Sequence, residues 1–280
     1  MSTVVIIGAG DIGAAAAQAL AARERVRRIV LIDPSRDVAA GKALDIQQSG
    51  AVVEFGTRLS ATDDLTSVTG ADVCIVADRF GRASAEWDGE EGLAMLVRVV
   101  PYLSRAPIVF AGPGQAELMH RAARETRAER TRLIGSAPDA FASALRAIVA
   151  AEAQCSPHEV LLAVLGQPPF VIPWSDASIG GYALDRILTP PQIGRLEQRA
   201  SRLWPPGPYT LGGAAARAAE AVVTSARQRL NVLVLLGGEF GVRNRIGALP
   251  VLLNRHGVAD VRVPALNTRE RVLVETSLGV

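Results

Sequence analysis

The run Val4-Val5-Ile6-Ile7-Gly8-Ala9-Gly10-Asp11-Ile12-Gly13 joins an apolar strand to the start of a helix through a glycine-rich turn. The helical pattern continues over Ile12–Ala22, and a second apolar run, Ile29-Val30-Leu31-Ile32, ends on Asp33. Gly-x-Gly-x-x-Gly between a strand and a helix has a mechanical meaning. Gly8 permits a tight turn, Gly10 lets a ligand approach the backbone, and Gly13 lets the helix pack closely on the strand. The exposed N–H groups and the positive dipole end of the helix attract a phosphate.

Asp33 lies about twenty residues beyond Gly13, the spacing expected for a carboxylate that accepts from ribose hydroxyls. Such a carboxylate repels a 2′-phosphate, so the pattern favours NAD over NADP, although Ser35 and Arg36 nearby soften that exclusion. The expected cofactor contacts are therefore Gly8, Gly10, Asp11, Ile12, Gly13 and Asp33. The alternative is a glycine-rich turn in a similar fold with another ligand or none.

Working outward, strands are expected at Val4–Ile7, Ile29–Ile32, Val73–Val76, Ile108–Phe110 and Arg132–Ile134. Helical stretches alternate with them at Ile12–Ala22, Ala40–Gln48, Gly89–Leu103, Gln115–Arg127 and Ala140–Ala151. This order predicts an α/β fold, a Rossmann doubly wound parallel sheet with helices on both faces. The second half reads differently. Val160–Leu165 is an apolar strand, and Pro190-Pro191 opens a helix reaching about Leu203. After the break Pro205-Pro206-Gly207-Pro208 comes an Ala-rich helix, Gly213–Arg229. Val232–Leu236, Ile246–Leu253 and Asp260–Val263 read as an antiparallel meander, followed by a helix at Thr268–Ser277. The expected units are residues 1–138, a NAD-binding Rossmann domain, and residues 139–280, a mixed α+β domain.

Hydrophobic residues make up 49% of the 280-residue chain, enough for a large core. A formal net charge of +2 gives no case for nucleic acid or an anionic membrane as partner. Lys42 is the only lysine, and arginine carries the rest of the positive charge. Cys74 and Cys155 belong to no metal-ligand or Cys-x-x-Cys pattern, and Cys74 reads as core. With no visible signal peptide or bilayer-length apolar run, a reduced, cytoplasmic setting is expected.

Beyond Asp33 comes Gly41-Lys42-Ala43-Leu44-Asp45-Ile46. With the Gly motif and Asp33, it resembles the lactate/malate dehydrogenase family, especially its malate dehydrogenase branch. Val164-Leu165-Gly166, Gly213-Ala214-Ala215-Ala216 and Gly238-Glu239-Phe240-Gly241 are similar to family signatures further along. The resemblance implies a Rossmann domain followed by a substrate domain of that family's type. It also implies reversible hydride transfer between NAD and a small 2-hydroxy acid, in a dimer or tetramer.

The same resemblance singles out substitutions. The family's acid–base histidine falls on Pro168, within Gln167-Pro168-Pro169-Phe170. Its orienting aspartate and substrate arginine fall on Phe141 and Ala144, with Asp139 two residues early and Arg146 matching a later arginine. Its asparagine, which touches substrate and nicotinamide, becomes Gly112. In the active-site loop Arg82 is the best match to the first arginine, Arg79 is the alternative, and Gly89 falls near the second. General acid–base catalysis supplies about 10²–10⁴ in rate, so ordinary activity is expected to be lost. The expected roles are a pseudoenzyme, a redox sensor or a partner subunit. The competing expectation is an active NAD-dependent oxidoreductase whose proton donor comes from Asp78, Glu86, Asp88 or Asp139.

His120, His158 and His256 read as surface residues, and the Arg-rich stretch His120–Arg132 as a salt-bridged exposed helix. Ser175, Asp176 and Ser178 could line a pocket. No zinc-protease, P-loop or nucleophile-elbow motif is present.

Overall fold

The computed structural model describes residues 2–81 and 86–279. The first half forms β1 (Thr3–Ile7), α1 (Asp11–Arg23), β2 (Arg28–Ile32), α2 (Arg36–Val53), β3 (Arg58–Thr62), β4 (Val73–Val76), α3 (Gly89–Val99), β5 (Ile108–Phe110), α4 (Ala116–Glu125), β6 (Leu133–Gly135) and α5 (Ala137–Ala153). The second half forms β7 (Val160–Leu161), β8 (Ser178–Ile179), β9 (Tyr182–Ala183), α6 (Leu184–Ile187), α7 (Pro190–Ala200), α8 (Pro208–Thr224), β10 (Leu230–Gly237), β11 (Arg243–Asn254), β12 (Gly257–Val261) and α9 (Thr268–Ser277).

The large sheet runs β3-β2-β1-β4-β5-β6, all parallel, and continues through β10, β11 and β12 with antiparallel pairing. The order reverses outward from β1, with β2 on one side and β4 on the other. That is the topological switch point at which such sheets open a crevice beyond the carboxyl ends of their strands. β7, β8 and β9 form a separate small antiparallel sheet.

The central strands are buried on both faces, as continuous Val/Ile runs require. Val4 and Ile6 enter one core with α1, α2 and α8, while Val5 and Ile7 enter a second core with α3 and α4. Cys74 is fully buried in that second core, and burial pushes its thiol up to about 12. Its expected structural place is confirmed.

Three differences from expectation have local causes. β3 has no strong apolar run because it is an edge strand with a mostly half-buried pattern. The expected strand Val160–Leu165 pairs regularly only over Val160–Leu161. At Leu165 the chain turns back, and Leu165 and Val171 exchange backbone hydrogen bonds of 2.9 and 3.0 Å. The Ala-rich helix begins at Pro208 rather than Gly213, because the last proline of the break sits in its first turn. Small residues let α8 approach α1 closely. Gly212 lies against the Ile12 carbonyl and the Ala16 amide, where a β-carbon would collide.

Candidate functional site: a glycine-turn crevice

The glycine turn forms as its spacing requires. Gly8 has φ +111°, and a β-carbon at Gly13 would collide with the Gly8 carbonyl oxygen. The Gly8 amide donates to the Ile32 carbonyl at 2.7 Å, and the Gly10 amide to the Asp78 carbonyl at 2.8 Å. The turn is thereby fixed to the ends of β2 and β4.

The space beside Gly10 belongs to the Asp78 side chain. A β-carbon on Gly10 would fall on the Asp78 carboxylate. That carboxylate accepts from the amide of Asp11 at 2.8 Å and from that of Gly13 at 2.9 Å. The start of α1 therefore has an anion on it, supplied by the chain.

Asp33 is also engaged. It is 1% exposed and accepts from the amides of Ala9 (2.8 Å), Ser35 (2.9 Å) and Phe80 (3.2 Å). These bonds tie together the glycine turn, the end of β2 and the loop after β4. Ile12 is buried in the α1 core, whereas Asp11 points outward and lies 3.8 Å from Lys42. The Lys42 ammonium donates to the Gly10 carbonyl at 3.1 Å and sits 5.5 Å from the Phe80 ring centroid.

Further along the crevice, Glu86 pairs with Asp78 through an isolated antiparallel bridge. Its carboxylate accepts from the Gly114 amide at 3.0 Å and fills the space a side chain at Gly112 would need. Burial pushes the Glu86 carboxyl above the ordinary carboxylate range. The Gly114 hydrogen bond pulls it partly back, while the negative charges of Asp78 and Asp88 push it further up. Gln115 braces this region by accepting from the Gly112 amide at 2.9 Å and donating to the Ala77 carbonyl at 3.4 Å.

Of the two candidate loop arginines, Arg82 lies outside the described residues. Arg79 is 4% exposed, with its guanidinium 4.5 Å from the Trp87 ring centroid. It also pairs with Glu91 at 2.5 Å and donates to the Glu86 carbonyl at 3.3 Å. Its charge is spent on holding the loop. Asp88 is the residue immediately before α3, and Gly89 is that helix's first residue.

A second cluster, which no local sequence signal announced, gathers three aromatic rings. The Phe141 ring lies 5.7 Å from Phe170 and 5.9 Å from Trp204, and Phe170 lies 4.8 Å from Trp204. The pairs involving Trp204 meet edge to face, the arrangement favoured by ring quadrupoles. Phe141 is buried, while Pro168, on the loop that delivers Phe170, is exposed.

Asp139 belongs elsewhere. Two residues from Phe141 on α5, it sits on another face of the helix, 3.0 Å from Arg217 and 3.7 Å from Arg146. These three line a cavity of about 860 Å³ together with Asp176 and Ser178. Asp176 there pairs with Arg262 at 3.1 Å. Ser175 instead donates to Glu270 of α9 at 2.6 Å. His158 and His256 are exposed, and His120 is half-buried beside the Asn244 carbonyl at 3.2 Å. Arg121 on α4 bridges Glu125 of the same helix and Glu90 of α3. The exposed helix expected over His120–Arg132 nevertheless ends at Glu125, and Arg132 is buried, donating to the Ala106 carbonyl. Among the described residues no His/Cys/Asp/Glu group could hold a metal, and no helix is long and apolar enough to cross a membrane.

The switch-point crevice, the glycine turn and the acid at the end of β2 define a Rossmann dinucleotide-binding fold extended by a mixed α+β region. Residues 2–86 match the family model described as lactate/malate dehydrogenase, NAD binding domain. The chain is 27% identical to a malate dehydrogenase of Cytophaga hutchinsonii, over 98% of this chain and 94% of that one. It is 28% identical to a malate dehydrogenase of Thioalkalivibrio sulfidiphilus, over 100% and 97%. The solved malate dehydrogenase of Salinibacter ruber shares its fold with a TM-score of 0.87 at 23% identity, covering 99% of this chain and 94% of that one. The minor L-lactate dehydrogenase of Enterococcus mundtii gives 0.88 at 19%, covering 99% and 95%. Residues 2–86 thus match a lactate/malate dehydrogenase NAD-binding domain, which makes NAD the cofactor, and the chain as a whole is similar to malate dehydrogenases.

Proposed function

We propose that this protein binds NAD(H) but does not run the family's hydride transfer on 2-hydroxy acids at a dehydrogenase rate. It acts either as a cytoplasmic redox sensor in a homo-oligomer, a dimer or tetramer, or as a partner subunit of an active relative. One observation carries this reading. Phe141 and Phe170 pack with Trp204 where the family resemblance calls for an orienting carboxylate near an acid–base histidine. Aromatic rings cannot exchange a proton with a carbonyl oxygen, and Pro168 cannot either. The buried Arg79, committed to Glu91 and Trp87, supports the same reading, because it is not free to hold a substrate carboxylate.

The test is an NADH titration of the purified protein, followed by a turnover screen of oxaloacetate, pyruvate and related 2-oxo acids. NADH binding without turnover is the expected result. Turnover at a normal dehydrogenase rate would refute the proposal.

A second reading rests on Glu86. Its carboxyl is partly buried, held toward the protonated form, and packed on Gly112. In an active oxidoreductase on another substrate, Glu86 would hand its proton to the carbonyl oxygen being reduced. That reading requires a substrate whose turnover disappears in Glu86→Gln while NADH affinity survives.

A further inference from the structure

Three carboxylates of this chain face the crevice that a dinucleotide enters, each already bonded to backbone. Asp33 holds Ala9, Ser35 and Phe80, Asp78 holds Asp11 and Gly13, and Glu86 holds Gly114. Asp78 is decisive, because it meets the very features that make a phosphate cradle. It lies on the N-terminus of α1, a helix of 13 residues, and in the clearance left by Gly10. A carboxylate accepting helix-terminal amides uses the same hydrogen bonds and dipole that a phosphate would.

We infer that Asp78 is an intramolecular stand-in for the pyrophosphate, so that NAD(H) binds only by displacing it. This rests on the NAD(H)-binding reading above and adds a threshold to it. The competitor is tethered at the end of β4, and the bridge between Asp78 and Glu86 restrains its backbone. It therefore acts at a high effective concentration. The exchange is one anion for another, with the amides of Asp11 and Gly13 satisfied before and after. The neighbouring carboxylates add like-charge repulsion against the incoming phosphates, weakened at high salt. Asp33 also accepts from the Phe80 amide, so its carboxylate is freed only if that hydrogen bond breaks as well.

The experiment measures Kd for NADH, ADP-ribose and adenosine with the full chain, by calorimetry or NADH fluorescence. It uses the wild type, Asp78→Ala and Asp78→Asn. Asp78→Asn keeps the side-chain size and one acceptor but removes the charge, and covers the case in which the alanine variant does not fold. Removing the carboxylate should tighten NADH and ADP-ribose by about tenfold or more, roughly 1.4 kcal/mol, with adenosine unchanged. Asp78→Asn should fall between. Wild-type binding equal to or tighter than that of the folded variants would overturn the stand-in and leave NAD(H) binding standing. An equal gain for adenosine would also overturn it, since that would indicate a loosened loop rather than a vacated phosphate position. If neither the wild type nor any folded variant binds NADH, both the stand-in and the NAD(H)-binding reading fail.

Discussion

The glycine-turn crevice and the aromatic cluster are closed with opposite materials. At the nucleotide end, carboxylates sit on backbone amides, as Asp33 and Asp78 do. Where α5 meets the loop after β7 and the segment before α8, Phe141, Phe170 and Trp204 pack on one another. The difference matters because the two closures are undone at different costs. A hydrogen-bonded anion can be exchanged for another anion with little net change, since each amide keeps a partner. A packed aromatic cluster has no such exchange. Opening it returns apolar area to water at about 25 cal/mol per Å². The first closure is thus exchangeable and the second is not.

The largest expected effect breaks the aromatic cluster. Trp204→Ala should destabilise the protein by about 3 kcal/mol, through lost burial and the cavity it leaves. Urea unfolding measures this, and a change below about 1 kcal/mol would show that the cluster is not a structural closure. A smaller effect is expected from Asp33→Ala, which strands the Ala9, Ser35 and Phe80 amides. Some of those amides would find water, so a loss of about 2 kcal/mol is expected in the same assay. Asp33→Asn, which keeps an acceptor, should recover part of it.

The smallest effect concerns Glu86. Its folded-state affinity for a proton is raised, chiefly by burial. The folded state therefore binds that proton more tightly than the unfolded chain does. The resulting stability is present below the unfolded value, about pH 4.3, and is lost as pH rises through the raised folded value. Glu86→Gln should accordingly be slightly more stable than the wild type at pH 7, with the advantage gone near pH 4. Thermal melts across that range check the sign. An advantage that grows toward acid would contradict the burial argument.

Much of the nucleotide end was legible in the sequence because its determinants are local. Gly8, Gly13 and the strand–turn–helix order lie within ten residues, and each does what its spacing implied. Asp33 could be read as an anchor at the end of β2, but its partners could not. The Phe80 amide reaches it only because β4 and its following loop come back beside β1. Asp78 and Glu86 were visible as acids in a loop. Their shared orientation into the crevice comes from a single antiparallel bridge, which composition does not announce. The aromatic cluster was the least legible part. Phe141, Phe170 and Trp204 come from α5, the loop after β7 and the segment before α8, and only the tertiary fold unites them. β3 escaped notice for a different reason, since an edge strand needs no apolar alternation to pair.

Lys42 has a practical consequence. It is the sole lysine, and its amine rests on the Gly10 carbonyl at the rim of the crevice. An acylating dye would therefore mark one side chain of the whole molecule, apart from the amino terminus. A fluorophore seated there would stand beside Phe80 and the glycine turn. The protein thus carries its own attachment point for an optical reporter of the glycine turn, one that needs no engineered cysteine.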